Sequence, residues 1–192
     1  MSGRSAPLLT PEEYLALDRA AAFKSEYFDG QMVSMSGGTF VHSILAAAFS
    51  SELRNALAGR DCWVTNSDAR VRATRSTFVY PDVCVVCGRP ELENDDVLLN
   101  PVLIAEVLSD STERYDRGLK FTRYRSMPTL QDYVLIAQTE ARVEVFRRQP
   151  DESWSLRIYE GIDKVAKLES LAVDLSLRAL YRGLNFTSAS TF

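Results

Sequence analysis

Two runs dense in apolar, largely β-branched residues, 78–86 (FVYPDVCVV) and 102–108 (VLIAEVL), each contain a single carboxylate, Asp82 in the first and Glu106 in the second. Runs of that composition are what strands buried on both faces look like. A charge is rarely left in such a strand without a partner, a metal or a task. The chain must therefore fold so that two central strands each place a carboxylate against something that compensates it. Asp82 follows Pro81, and Glu106 lies at the middle of the next apolar run, so pairing of the two strands brings the carboxylates together. The densest basic stretch comes directly afterwards: Arg114, Arg117, Lys120, Arg123 and Arg125 against Glu113 and Asp116.

The remaining pattern places these strands in one mixed α/β domain. Thr10-Pro11-Glu12-Glu13 combines a cap, a first-turn proline and a glutamate three after the cap, which predicts a short helix through Tyr14 and Leu17. Residues 24–35 alternate around Asp29-Gly30, the turn chemistry of a hairpin, with Glu26 on its first strand. Residues 42–57 repeat apolar positions at helical spacing and end before Gly59. Strands are expected at 63–65 and 69–72 around a polar 66–68 turn, then at 78–86 and 102–108, with a solvated acidic loop between. A helix is expected from Ser109 to Ser126, where at ~100° per residue Glu113, Arg117, Lys120 and Tyr124 share a face. Strands at 131–137, 142–147 and 154–159 and a closing helix at 175–184 complete the order. Residues 1–9 and 185–192 are expected to be flexible ends.

A length of 192 residues suits a single domain, and no apolar run approaches the ~20 residues of a membrane span. The N-terminus lacks a secretory stretch, so the expected location is cytoplasmic, with no membrane partner. Three cysteines, Cys62, Cys84 and Cys87, are an odd count that does not read as a disulfide framework. On a strand, Cys84 and Cys87 point to opposite faces, so they are expected as small core residues, not as a redox or zinc pair. A net charge of −4 argues against a general nucleic-acid coat, leaving only local contact.

Two close carboxylates repel unless a cation separates them. Hard oxygens with positions left over for water and phosphate suit Mg²⁺ or Mn²⁺, which can activate water against a phosphodiester. Lys120 would then add a positive charge to the phosphate or orient the attacking water. The structural alternative is a turn cap at Asp82 and a salt bridge at Glu106.

Glu26-Tyr-Phe-Asp-Gly30, Pro81-Asp82-Val83, Glu106-Val-Leu-Ser109 and Asp116-x-x-x-Lys120, in that order, resemble the Uma2 family of restriction-endonuclease-like proteins in the PD-(D/E)XK nuclease superfamily. The resemblance runs from about residue 10 to residue 184. It implies a central mixed β-sheet flanked by helices, with an N-terminal hairpin. It also implies that Asp82 and Glu106 are metal-binding acids, with the main-chain carbonyl of Val107 as a further ligand. The superfamily's lysine two residues after the second acid is Leu108 here, and Lys120 on the following helix takes its place. Glu26 matches the hairpin motif as an accessory acid, and His42 stands where the family often carries a histidine. Tyr124 shares the helix face of Lys120 and is a third accessory candidate.

The expected function is therefore a Mg²⁺- or Mn²⁺-dependent endonuclease acting on DNA, without an organic cofactor and as a homodimer. The competing expectation is a catalytically silent module of the same fold that binds nucleic acid or protein. A carboxylate-pair hydrolase of sugars ranks last, because the aromatics sit at core spacing.

Overall fold

The computed structural model describes residues 8–35 and 37–186. The expected flexible ends fall largely outside these residues. Helix α1, Pro11–Ala20, opens on a full capping box: Thr10 Oγ1 accepts from the Glu13 N–H, and the Glu13 carboxylate accepts from the Thr10 N–H. Strands β1, Ser25–Phe28, and β2, Gln31–Ser34, pair antiparallel through Asp29 and Gly30, both at positive φ as such a turn requires. Helix α2, Phe40–Ala56, is capped by Thr39 and buries Leu45, Phe49 and Leu53.

The strands that follow are β3 (Cys62–Asn66), β4 (Arg70–Thr74), β5 (Thr77–Val79), β6 (Val83–Cys87), β7 (Leu92–Glu93), β8 (Val97–Leu98) and β9 (Leu103–Val107). After a helical segment at 113–124 come β10 (Asp132–Ile136), β11 (Arg142–Arg148), β12 (Trp154–Glu160), β13 (Val165–Leu168) and β14 (Val173–Ser176). They form two six-stranded sheets, β2-β1-β5-β4-β8-β7 and β12-β11-β10-β9-β6-β3, and a separate β13–β14 pair. The second sheet is mixed: β9 and β10 run parallel at its centre, and its other pairs are antiparallel.

Period-2 alternation sorts that sheet into two cores. Val83, Val85, Leu103, Ala105 and Val107 face α2 and the β13–β14 hairpin. Cys84, Val86, Ile104 and Leu108 face the 113–124 helix and the first sheet. Glu106 lies between Ile104 and Leu108 on this second face, a carboxylate at a core position that is 3% exposed. A third, smaller core packs Tyr14 and Leu15 of α1 on Tyr27 and Phe78.

Several expectations are corrected. Residues 78–86 are not one strand: β5 belongs to the first sheet and β6 to the second. Pro81 offers no N–H to a ladder and restricts Tyr80 before it, so the chain changes sheets there. Strands β3 and β4 likewise enter different sheets despite the short turn between them. The acidic loop contains β7 and β8, and its Glu93 and Asp96 pair with Arg72 and Arg70. The closing helix is a single turn, Leu177–Leu180, because Leu175 and Ser176 end β14.

The cysteine expectation is overturned in part. Cys62 and Cys87 are directly opposed on β3 and β6 and form a disulfide. The pairing rests on a register that sequence spacing does not reveal. Cys84 is buried and free, on the face opposite Cys87, as strand alternation predicts. Among the described residues, no helix is long and apolar enough to cross a membrane.

Candidate active site

The crossing at Tyr80-Pro81-Asp82 brings Asp82 to the flank of β9. Asp82 Oδ2 accepts from the Val107 N–H at 2.8 Å, and the Asp82 N–H donates to Glu106 Oε2 at 3.3 Å. The other Glu106 oxygen, Oε1, accepts from Lys120 Nζ at 3.1 Å and from the Tyr124 hydroxyl at 2.8 Å. Lys120 Nζ also stands 3.0 Å from Glu26 Oε1 and 3.5 Å from Asp116 Oδ1. Glu26, on β1, accepts from the Tyr80 N–H at 3.2 Å, so the hairpin is tied to the same crossing. His42, in the first turn of α2, places Nε2 3.1 Å from Asp82 Oδ2.

The structure thus gathers Asp82, Glu106, Lys120, Glu26, His42, Tyr124 and the Val107 backbone at one place between the sheets. The helical segment that carries Lys120 departs from the expected regular helix. Glu113–Tyr115 and Phe121–Tyr124 are α-helical, while Asp116–Lys120 forms a π turn. The wider turn, of a kind often found at functional sites, alters the rotation between its ends. The expected shared face consequently splits. Arg117 turns to Glu113 and Glu144, while Lys120 and Tyr124 turn to Glu106. Tyr124 is both packed, with its ring centroid 5.2 Å from that of Tyr133, and bonded to the site.

Two participants were not among the sequence candidates. Asp116 is 2% exposed and faces Lys120; its place four residues before Lys120 in the family motif was the available signal. Tyr115 sets its ring 5.6 Å from Lys120 Nζ, a contact that no spacing indicates. Gly38 allows His42 its position: a Cβ there would lie 2.8 Å from His42 Nδ1.

Three carboxylates, those of Glu26, Glu106 and Asp116, surround one ammonium. Burial pushes the Glu106 carboxyl up; Lys120 draws it down, while Asp82, Asp116 and Glu26 raise it further. Asp116 is raised by burial too, again opposed by Lys120. Burial works against the Lys120 charge, but Glu106, Glu26 and Asp116 outweigh it and hold the ammonium protonated. The hydrogen bond to Asp82 raises His42 above the ordinary histidine value, against a smaller effect of burial.

These residues fit a divalent cation. Among the described residues no donor meets Asp82 Oδ1, and Glu106 Oε2 takes only the long bond from the Asp82 N–H. The acids outnumber the cations. No group of three or more His, Cys, Asp or Glu side chains among the described residues encloses a metal position. A metal here would take two carboxylates and complete its shell with other oxygens, as Mg²⁺ usually does. A groove of about 550 Å³ leads away from His42 and Asp82 along α2, past Ser43, Ser50, Arg54 and Asn66.

The family described as "Uma2: Putative restriction endonuclease" matches residues 11–180. Uncharacterized protein slr1290 of Synechocystis sp. is 37% identical over 181 residues, covering 94% of this chain and 95% of that one. A second uncharacterized Synechocystis protein, sll1609, is 36% identical over 152 residues, 78% of this chain and 86% of its own length. A solved structure from Anabaena variabilis, described as "a putative nuclease belonging to DUF820", superposes with a TM-score of 0.74 at 20% identity, over 90% of this chain and 97% of that one. The family and the fold are nuclease-like.

Proposed function

The chain belongs to the Uma2 family, and from that premise we propose that it is a metal-dependent endonuclease that hydrolyses phosphodiester bonds in DNA. The observation that carries this reading is the joining of Asp82 and Glu106 across the strand crossing, with more buried carboxylate than the surrounding cations neutralise. Asp82 and Glu106 are the ligands for Mg²⁺ or Mn²⁺, with the Val107 carbonyl as a third by analogy. A bound divalent ion supplies a Lewis acid for the phosphate and lowers the pKa of a water.

The protein groups orient the rest. Water adds to phosphorus, the P–O bond to the leaving sugar oxygen breaks, and that oxygen gains a proton. Lys120 and Tyr124 hold the Glu106 carboxylate in one orientation, which makes them positioning residues. His42 fixes Asp82 from the groove side. The groove along α2 offers hydroxyls, amides and Arg54 to one strand's backbone, in keeping with a contact that is local on a chain of net charge −4. Two copies acting on opposite strands would suit duplex cleavage.

The test is cleavage of supercoiled plasmid with Mg²⁺, Mn²⁺ or EDTA, alongside Asp82→Asn and Glu106→Gln. Metal-dependent nicking by the native chain that both variants lose is the expected result. A second reading, a non-cleaving module, is favoured by Leu108, a buried core residue where the superfamily carries lysine. DNA binding that ignores metal, with no cleavage under any condition, would establish that module instead.

A further inference from the structure

We propose that the open edge of β12 pairs antiparallel with β12 of a second copy of this chain, joining two six-stranded sheets into one. The nuclease reading enters only in what the pairing achieves, not in the pairing itself.

Strand β12 ends the second sheet, and its seven residues make it the longest edge strand of either large sheet; β2, β7 and β3 have four, two and five. Its ladder to β11 fixes which backbone groups are left over. The Gln149 N–H donates to the Ser153 carbonyl and the Gly161 N–H to the Ala141 carbonyl, so the odd-numbered residues of β12 bond to β11. The N–H and C=O groups of Trp154, Leu156, Ile158 and Glu160 therefore point away from the sheet. Such a row templates another strand, and the usual deterrents, a proline, a bulge or an inward charge, are missing from residues 154–158. Arg157, their one charge, is held by Glu169 at 2.7 Å. Leu156 and Ile158 are 46% and 48% exposed, on the same face as Trp154, whose ring packs on Phe121.

What fits this edge is the strand's own sequence. One antiparallel register alone sets each of the three outward apolar residues opposite another: Leu156 against the partner's Leu156, and Trp154 against the partner's Ile158. Arg157 then faces the partner's Ser155. A shift of two residues one way sets Arg157 against itself, and the other way sets Ile158 against Glu152, like charge or lone charge where cross-strand contact is closest. Glu106, Leu135, Glu144 and Ile158 lie in one row across the sheet. A two-fold axis along the sheet normal therefore keeps both Glu106 side chains on the same face, seven strand spacings apart, or roughly 34 Å. That is an arrangement in which two copies act on one duplex.

Sedimentation equilibrium of the native chain should give twice the mass of one chain. Leu156→Lys, at an exposed position, should keep the native circular dichroism spectrum and sediment as a single chain. Leu156→Cys places two thiols at the two-fold axis, where the Cα atoms of a hydrogen-bonded pair stand about 5.5 Å apart, within disulfide reach. With diamide as oxidant it should run as a covalent dimer on a non-reducing gel. Ile158→Cys, whose two copies lie four residues apart along the strands, should not.

A native chain of single mass overturns the proposal, and one that pairs instead with a synthetic strand peptide assigns the edge to a foreign strand. A dimer that a folded Leu156→Lys leaves intact also overturns it, as does cross-linking of Ile158→Cys as fast as Leu156→Cys. If Leu156→Lys is unfolded, the cross-linking comparison decides. A dimer that nicks no plasmid with any metal defeats the nuclease reading and leaves this one standing.

Discussion

Asp82 and Glu106 are joined at the strand crossing: the N–H of Asp82 donates to the Glu106 carboxylate, and the carboxylate of Asp82 accepts from the N–H of the next residue, Val107. Each acid is therefore both a candidate ligand and a tie between β9 and the crossing that precedes β6. Substitution at Asp82 must separate the two roles.

Asp82→Asn does so, because the amide oxygen can still accept from Val107 while the charge is gone. The variant should retain the native circular dichroism spectrum and lose Mn²⁺ binding by calorimetry. Asp82→Ala removes the anchor as well, leaves the Val107 N–H without its acceptor, and should cost about 1–3 kcal/mol on a urea curve. Equal destabilisation by both would show that charge, not anchoring, holds the crossing.

His42 is the chain's one histidine, so its ring proton gives a single readily assigned NMR resonance. In metal-free protein its midpoint should lie above ~6.5, because Asp82 favours the charged imidazole. The linked stability is fully present below the unfolded value and is lost as the pH rises through the folded one. In Asp82→Asn the midpoint should fall. An unchanged midpoint would mean that the His42–Asp82 contact is absent in solution. Gly38→Ala should also disturb the resonance, since the added methyl meets the ring.

Arg70 ties α1 to the first sheet. It donates to Asp18 at 2.7 Å and to Asp96 at 2.6 Å and holds the Tyr80 hydroxyl at 2.9 Å, just before the crossing. Arg70→Met leaves Asp18 buried without its cation and should cost roughly 3–5 kcal/mol in urea unfolding. Arg70→Met with Asp18→Asn should recover part of that loss. A double variant no better than the single would show that Asp18 needs no compensation.

The Cys62–Cys87 bond closes 25 residues of chain onto the edge strand β3. Loop entropy alone gives about 3.5 kcal/mol for such a closure. Oxidised protein should weigh less than reduced protein by the mass of two hydrogens. Cys62→Ser with Cys87→Ser should unfold at lower urea concentration by a corresponding amount. Identical midpoints for the oxidised and reduced forms would remove the bond from the stability account.

Much was legible locally. The Thr10 capping box, the Asp29-Gly30 hairpin, the apolar stripe of α2 and the alternation that puts Cys84 and Cys87 on opposite faces depend on neighbours in sequence, and each formed as expected. The conspicuous acids and Lys120 were also visible, because a charge in an apolar run or an ordered motif stands out without a fold.

What remained hidden was whatever depends on which distant strands meet. Pro81 announces an interruption, but only the packed layers decide that β5 and β6 separate into two sheets. The pairing of Cys62 with Cys87 follows from the β3–β6 register, and the β13–β14 hairpin from burial against α2. Lys120 shows the division most sharply. The chain's own residues determined that a lysine follows the two acids on a helical segment. The π turn and the approach of β1 decided that its ammonium points inward to Glu26, Glu106 and Asp116, because three buried carboxylates from separate elements need a cation where they converge.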